Sequence, residues 1–214
     1  MIELNIPGRG SLRLEHLVCD LNGTLAIDGH LLEGISRILK NLSDRLTVHV
    51  LTANTRKNID TIELQLGLRV ELIPRGGETE QKAAYVRQLG AETVIAIGQG
   101  ANDAAMLKEA AIGICVLSQE GASILALQAA DLLVPDIYQA FELIEKPLRL
   151  VASLRQLVNS PANKFPMTQR TCRRRAGGVP AACSLLWVWT NEQTFLTSLP
   201  TVPHLPLTFF FSLF

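Results

Sequence analysis

The sequence predicts an α/β fold, a parallel sheet covered by helices on both faces. Three observations predict it. Short apolar runs recur along residues 16–134, and stretches with helical apolar spacing lie between them. Several runs end in turn-forming residues: Asn22-Gly23, Thr52-Ala53-Asn54 and Gly98-Gln99-Gly100. The segments alternate strand, helix, strand, which antiparallel architectures do not require and parallel ones do.

The elements follow in order. Residues 2–14 hold two alternating runs around Pro7-Gly8-Arg9-Gly10, a hairpin pattern. Residues 16–21 form the first sheet strand, an apolar run closed by Asn22-Gly23. Leu31, Leu32, Ile35, Ile38, Leu39 and Leu42 predict a helix over 31–43 with one apolar face. A strand over 46–51, a helix over 56–66 stopped by Gly67 and a strand over 68–73 come next. Then follow a helix over 78–89 stopped by Gly90 and a strand over 93–97. A helix over 103–110, a strand over 112–117, a helix over 121–128 and a strand over 132–134 extend the pattern. Helical segments 136–145 and 147–158 finish it.

Composition bounds the function classes. The 214 residues carry a formal net charge of zero, so no nucleic-acid surface is expected. Met1-Ile2-Glu3-Leu4-Asn5 does not read as a signal peptide, and no stretch reaches the ~20 apolar residues of a membrane span. Cys19, Cys115, Cys172 and Cys183 show no Cys-x-x-Cys spacing, so a reducing cytoplasm is expected, with neither disulfide nor zinc. His16, His30 and His49 share no ligand spacing and read as surface or strand positions.

The averages hide a break near Val158. Residues 1–158 carry 19 acidic and 15 basic residues, and residues 159–214 one acidic and five basic. Six of the seven Phe, both Trp and six of the ten Pro fall in the second segment. Two unlike segments are expected: a 1–158 domain, and a 159–214 tail that is irregular and either disordered or not selected coding sequence. Arg173-Arg174-Arg175 is too small a cluster to argue a lipid or nucleic-acid partner.

The topology brings the ends of three strands to one edge, where ligands of open α/β sheets bind. Residues 20–24, 52–54 and 98–103 gather there. A carboxylate at the first strand's tip, Asp20, suits a nucleophile or a metal ligand. Asn22-Gly23-Thr24 offers a turn, backbone N–H groups and a hydroxyl, chemistry that holds a phosphate.

These residues carry a resemblance. Asp20-Leu21-Asn22-Gly23-Thr24-Leu25 resembles the Asp-x-Asp-Gly-Thr motif of the haloacid dehalogenase superfamily, and still more the Asp-Lys-Thr-Gly-Thr motif of P-type ATPases. Leu51-Thr52-Ala53-Asn54 is similar to their Leu-Thr-Gly-Asp. Gln81-Lys82 with Val86 and Leu89 is similar to their lysine motif. Gly98-Gln99-Gly100-Ala101-Asn102-Asp103, followed by Leu107, is similar to Gly-Asp-Gly-x-Asn-Asp-x-x-x-Leu. Ala111 to Ile114 and Ala129 to Val134 match the segments after it. The resemblance spans residues 15–135 and points to the soluble P-type ATPase-like group, a phosphorylation domain without a pump.

The resemblance implies a Rossmann-like three-layer sheet, and the short stretches between Asp20 and Thr52 and between Thr52 and Lys82 leave no room for a cap domain. It implies phosphoryl transfer to Asp20 and hydrolysis of the resulting aspartyl-phosphate. Mg²⁺ would be held by Asp20, the Asn22 carbonyl and Asp103. Asn22, Thr52 and Lys82 would act in catalysis with Asp20, Lys82 as a point charge beside the phosphate. Gly23, Thr24, Thr52, Ala53 and Lys82 would contact the phosphate. Asn54, Gln99 and Asn102 would stand behind them. Alternative roles are ordinary: a solvated helix lysine for Lys82, helix N-caps for Thr52 and Asn102, a favourable helix-dipole charge for Asp103.

Three amides stand where the family carries carboxylates: Asn22, Asn54 and Gln99. An amide neither gives nor takes a proton at neutral pH, so turnover is in doubt more than binding. The runner-up readings are a slow P-type-ATPase-like phosphoenzyme former and a non-catalytic phosphate-binding or interaction module. Only 31 residues separate Asp20 from Thr52, which leaves no room for a pump's nucleotide-binding domain. An open site suits a large phosphorylated substrate, unless a homo-oligomer partner forms the lid.

Overall fold

The computed structural model describes residues 1–53 and 59–156. Asn54, Arg56 and the 159–214 tail, with Cys172 and Cys183, lie outside the described residues. The strands are β1 (Ile2–Ile6), β2 (Gly10–Leu14), β3 (His16–Asp20), β4 (Ala26–Ile27), β5 (His30–Leu31), β6 (Thr47–Thr52), β7 (Val70–Leu72), β8 (Val94–Gly98), β9 (Ile112–Val116) and β10 (Leu132–Val134). The helices are α1 (Ile35–Ser43), α2 (Ile59–Leu66), α3 (Glu78–Leu89), α4 (Ala104–Glu109), α5 (Ile124–Ala129), α6 (Ile137–Glu145) and α7 (Pro147–Leu154).

Six strands form the central sheet in the order β10-β9-β8-β3-β6-β7. Every neighbouring pair is parallel. Strand β3 lies inside the sheet, with Asp20 opposite Leu51 of β6 and Cys19 opposite Ile97 of β8. Being covered on both faces, β3, β8 and β9 are continuous apolar runs rather than alternating ones.

Alternation sorts the side chains into two cores. Leu17, Cys19, Ile95 and Ile97 join Ile35 and Leu39 of α1, Phe141 of α6 and Leu150 of α7. Val18, Leu51, Val94 and Ala96 face the other way and meet Val86 of α3, Met106 and Leu107 of α4 and Ala126 of α5. This is the three-layer α/β arrangement. Gly113 of β9 makes one contact possible, since a Cβ there would overlap the Leu107 carbonyl.

The β1–β2 hairpin forms where expected, with Ile2 paired to Leu14 and Ile6 to Gly10. Its turn is tied down by Arg9, which pairs with Asp131 at 2.9 Å and donates to the Ala111 carbonyl at 2.8 Å. Three points depart from expectation. The helix expected over 31–43 begins at Ile35, because Leu31 belongs to β5 and pairs with Ala26 of β4. The small β4–β5 hairpin was not anticipated, although Asp28-Gly29 is a hairpin-turn signal. Both residues adopt positive φ, 51° and 81°. The last helix ends at Leu154, short of residue 158.

Candidate active site

The chain's buried polar side chains gather at the carboxyl ends of β3, β6 and β8. Asp20, Thr24, Thr52, Lys82 and Asp103 are the buried polar or charged residues among those described. Asp20 closes β3, Thr52 closes β6, and Asp103 follows the turn after β8. Lys82 comes from the second turn of α3 and points inward, fully buried, so it is not a solvated helix lysine.

Lys82 bridges the two carboxylates. Its Nζ donates to Asp20 Oδ1 at 2.5 Å and to Asp103 Oδ1 at 2.6 Å. The other oxygen of Asp103 accepts from the backbone N–H groups of Gln99 (3.0 Å) and Gly100 (2.8 Å). Asp103 is thereby fixed to the β8 turn and holds the lysine. This close approach needs Gly98, where a Cβ would stand 2.7 Å from Asp103 Cβ. The second Asp20 oxygen, Oδ2, accepts a longer bond from Thr24 Oγ1 at 3.4 Å.

Two acids and one ammonium leave a surplus negative charge in a buried place. Burial, then the Asp103 charge, push the Asp20 carboxyl up to about 7, against the opposing pull of Lys82 and Thr24. Burial works against the Lys82 ammonium, but Asp20 and Asp103 outweigh it and hold its pKa above the ordinary lysine value. Burial and the adjacent Asp20 push the Cys19 thiol far up, so it stays protonated and does not compete as a nucleophile.

The remaining expected residues surround this centre. Asn22 donates from Nδ2 to Thr52 Oγ1 at 2.9 Å, joining the first and second strand tips. Gly23 has φ +79°, and a Cβ there would overlap Gln99 Nε2 and lie 3.0 Å from Glu120 Oε2. Ala53 is half-buried beside Thr52, and Asn102 is half-buried in the turn ahead of α4. Sequence reasoning missed Glu120. It sits in the loop between β9 and α5, far along the chain from the motifs it reaches, and no spacing marks it.

A hard divalent cation fits the donors present. The surplus negative charge and the weakly engaged Asp20 Oδ2 favour a cation bound through oxygen. Among the described residues no group of three or more His, Cys, Asp or Glu converges as a metal cluster. The three histidines show one unexpected relation: His16 Nδ1 and His49 Nε2 meet at 3.1 Å, and His49 Nδ1 meets the Tyr85 hydroxyl at 2.9 Å.

Comparison with known proteins bears on the fold. No family model matches the sequence. The uncharacterised protein MJ0073 of Methanocaldococcus jannaschii is 36% identical over 92 residues, which are 41% of this chain and 99% of that protein. The phospholipid-transporting ATPase tat-1 of Caenorhabditis elegans is 32% identical over 88 residues, which are 41% of this chain and only 8% of that protein. A protein from Legionella pneumophila, described as a haloacid dehalogenase superfamily (subfamily III A) hydrolase, superposes with a TM-score of 0.54. It is 18% identical, over 66% of this chain and 87% of that one. The 3-deoxy-D-manno-octulosonate 8-phosphate phosphatase of Moraxella catarrhalis, in complex with magnesium ion, phosphate ion and its sugar acid, has a TM-score of 0.52. It is 17% identical, over 66% of this chain and 94% of that one. The chain belongs to the family of the M. jannaschii protein, and its fold is that of the haloacid dehalogenase superfamily hydrolases.

Proposed function

We propose that the protein is a divalent-metal-dependent phosphohydrolase in which Asp20 is the nucleophile. The observation that carries this is the Asp20–Lys82–Asp103 bridge, three ionisable side chains buried together at the sheet edge. Burying such a set costs folding energy, and a purely structural role would be met more cheaply by apolar residues. Perturbed, mutually coupled ionisable groups at strand ends are what phosphoryl-transfer chemistry uses.

In the mechanism Asp20 attacks phosphorus and the ester oxygen leaves. The Lys82 ammonium, locked by Asp103, offsets negative charge on the transferring group. Thr24 and Thr52 orient the phosphoryl oxygens, while the Gly23 N–H donates to the Ala26 carbonyl at 2.7 Å and shapes the turn. Asp20 and the Asn22 carbonyl would hold Mg²⁺ with help from Asp103. When bound there, the cation would supply charge neutralisation at the phosphoryl oxygens. The Moraxella phosphatase, with magnesium and phosphate in its structure, supports that choice of metal.

The substrate we infer is large or extended. Between Asp20 and β6 the chain forms only the β4–β5 hairpin and α1, and between Thr52 and Lys82 only 29 residues intervene. Neither insertion has the length of a cap domain. No described helix is long and apolar enough to cross a membrane, and the similarity to the lipid-transporting ATPase covers 8% of that protein. No transport activity is carried over.

One observation favours a slower, phosphoenzyme-accumulating version of the same chemistry. The Asn22 side chain is an amide tied to Thr52. A phosphometabolite hydrolysis screen, with fluoride–beryllium binding measured with and without Mg²⁺, tests the proposal. Mg²⁺-dependent binding that Asp20→Asn abolishes is the expected result. Binding that ignores both Mg²⁺ and Asp20 would point to a non-catalytic phosphate-binding module.

A further inference from the structure

Three residues after the nucleophile, the turn at Gly23 is met by two side chains from other parts of the chain. One is Gln99, an amide. The other is Glu120, whose Oε2 would lie 3.0 Å from a Gly23 Cβ. The carboxylate is placed by its loop. Glu120 N donates to Ser118 Oγ at 3.1 Å, Gly121 N donates to the Ser118 carbonyl at 2.9 Å, and Ser123 N donates to the Gln99 carbonyl at 2.8 Å. The other carboxylate oxygen, Oε1, accepts from Asp28 N at 3.2 Å, in the turn of the β4–β5 hairpin. Glu120 therefore spans from that hairpin to the Asn22–Gly23 turn, and it is exposed to water.

We propose that Glu120 is the proton acceptor for dephosphorylation, in the role that Asn22 cannot fill. The proposal rests on the reading of Asp20 as the phosphorylated residue. Two amides, Asn22 and Gln99, flank Gly23, so the turn lacks a base of its own. Glu120 brings a carboxylate to the same turn from the loop after β9. In the step, a water oxygen attacks the phosphorus of the Asp20 phosphate. The bond from phosphorus to the Asp20 oxygen breaks, and Asp20 leaves as a carboxylate. The water proton passes to the Glu120 carboxylate and from there to solvent, and inorganic phosphate departs. Gly23 has to be glycine on this account, since a side chain would push both Gln99 and Glu120 away.

The test is rapid-quench measurement of the acid-stable phosphoenzyme on the full chain, with p-nitrophenyl phosphate and Mg²⁺. Glu120→Gln keeps an oxygen for Asp28 N and removes the base. It should form phosphoenzyme with the wild-type burst but lose it about 10²-fold more slowly, the low end of what a positioned base contributes. Asn22→Asp in the Glu120→Gln background should restore decay by at least about tenfold. Wild-type decay in Glu120→Gln overturns the proposal, and so does slowing seen only in Glu120→Ala, which would assign Glu120 to holding the hairpin. Failure of Asn22→Asp to restore decay also overturns it. A wild-type protein that forms no phosphoenzyme overturns the Asp20 reading and this proposal together. A phosphoenzyme whose decay ignores residue 120 overturns this one alone.

Discussion

Lys82 Nζ lies 2.5 Å from Asp20 Oδ1, and both side chains are almost wholly withdrawn from water. A lysine from α3 is thus the counter-charge of a carboxylate on β3, 62 residues earlier in the chain. Removing the ammonium leaves Asp20 and Asp103 facing each other with no cation between them. Lys82→Met should therefore cost about 3–5 kcal/mol of folding stability, the range seen when one partner of a buried pair is deleted. Urea unfolding at pH 8 measures it. A loss below about 1 kcal/mol would mean that the two acids find other partners.

The Asp20 carboxyl, at about 7 in the folded protein against 3.8 ordinarily, sets a pH dependence with a definite sign. The folded state binds this proton more tightly than the unfolded state does. The associated stability is complete below about pH 4, declines as pH rises and is gone above about pH 7. Asp20→Asn deletes that slope. In EDTA the mutant should gain on the wild type between pH 5 and pH 8, read from paired urea titrations. Mg²⁺ should reverse the ranking at pH 8, because a cation bound to Asp20 stabilises only the wild type. A mutant–wild-type difference that does not move with pH would show that Asp20 titrates normally.

Much of this was legible in the sequence, and the exceptions have two physical causes. The strand tips were readable because a parallel sheet buried on both faces leaves continuous apolar runs, such as Leu17-Val18-Cys19 and Val94 to Ile97. Asp20, Thr52, Lys82 and Asp103 were readable from motif order, and the fold brings all four together. What spacing could not show was which atom faces which. Asp103 also fixes Lys82 through one oxygen and two backbone N–H groups through the other, contacts that no motif spacing shows. Glu120 and the His16–His49 contact were hidden because their partners are distant in sequence. The β4–β5 hairpin was hidden for the opposite reason: its strands are two residues long, too short for any period.

Gln99 is the place to strengthen the proposed metal site. Its side chain lies against Gly23, and the motif that residues 98–103 resemble carries a carboxylate at the place of Gln99. Gln99→Asp shortens the side chain and adds a hard anionic donor. The Mg²⁺ concentration for half-maximal binding of the fluoride–beryllium complex should fall severalfold, followed by calorimetry. An unchanged midpoint would place residue 99 outside the metal's surroundings.

The last prediction concerns where the folded domain ends. Helix α7 buries Leu150 and Leu154 in the same core as Ile2, Leu4 and Ile6 of the first hairpin. Gln156 N then donates to the Pro7 carbonyl at 2.9 Å, so the described end of the chain is hydrogen-bonded to its beginning. The six-stranded sheet and both of its helical layers are complete by Leu154. Residues 159–214 bring both Trp and six of the seven Phe, side chains that promote association when they find no core. A protein ending at Val158 should therefore stay soluble, unfold in one cooperative urea transition and bind fluoride–beryllium with the full chain's Mg²⁺ dependence. Its midpoint should match that of the full chain, and its tendency to aggregate should be lower. An insoluble or non-cooperative 1–158 protein would show that the tail supplies part of the core.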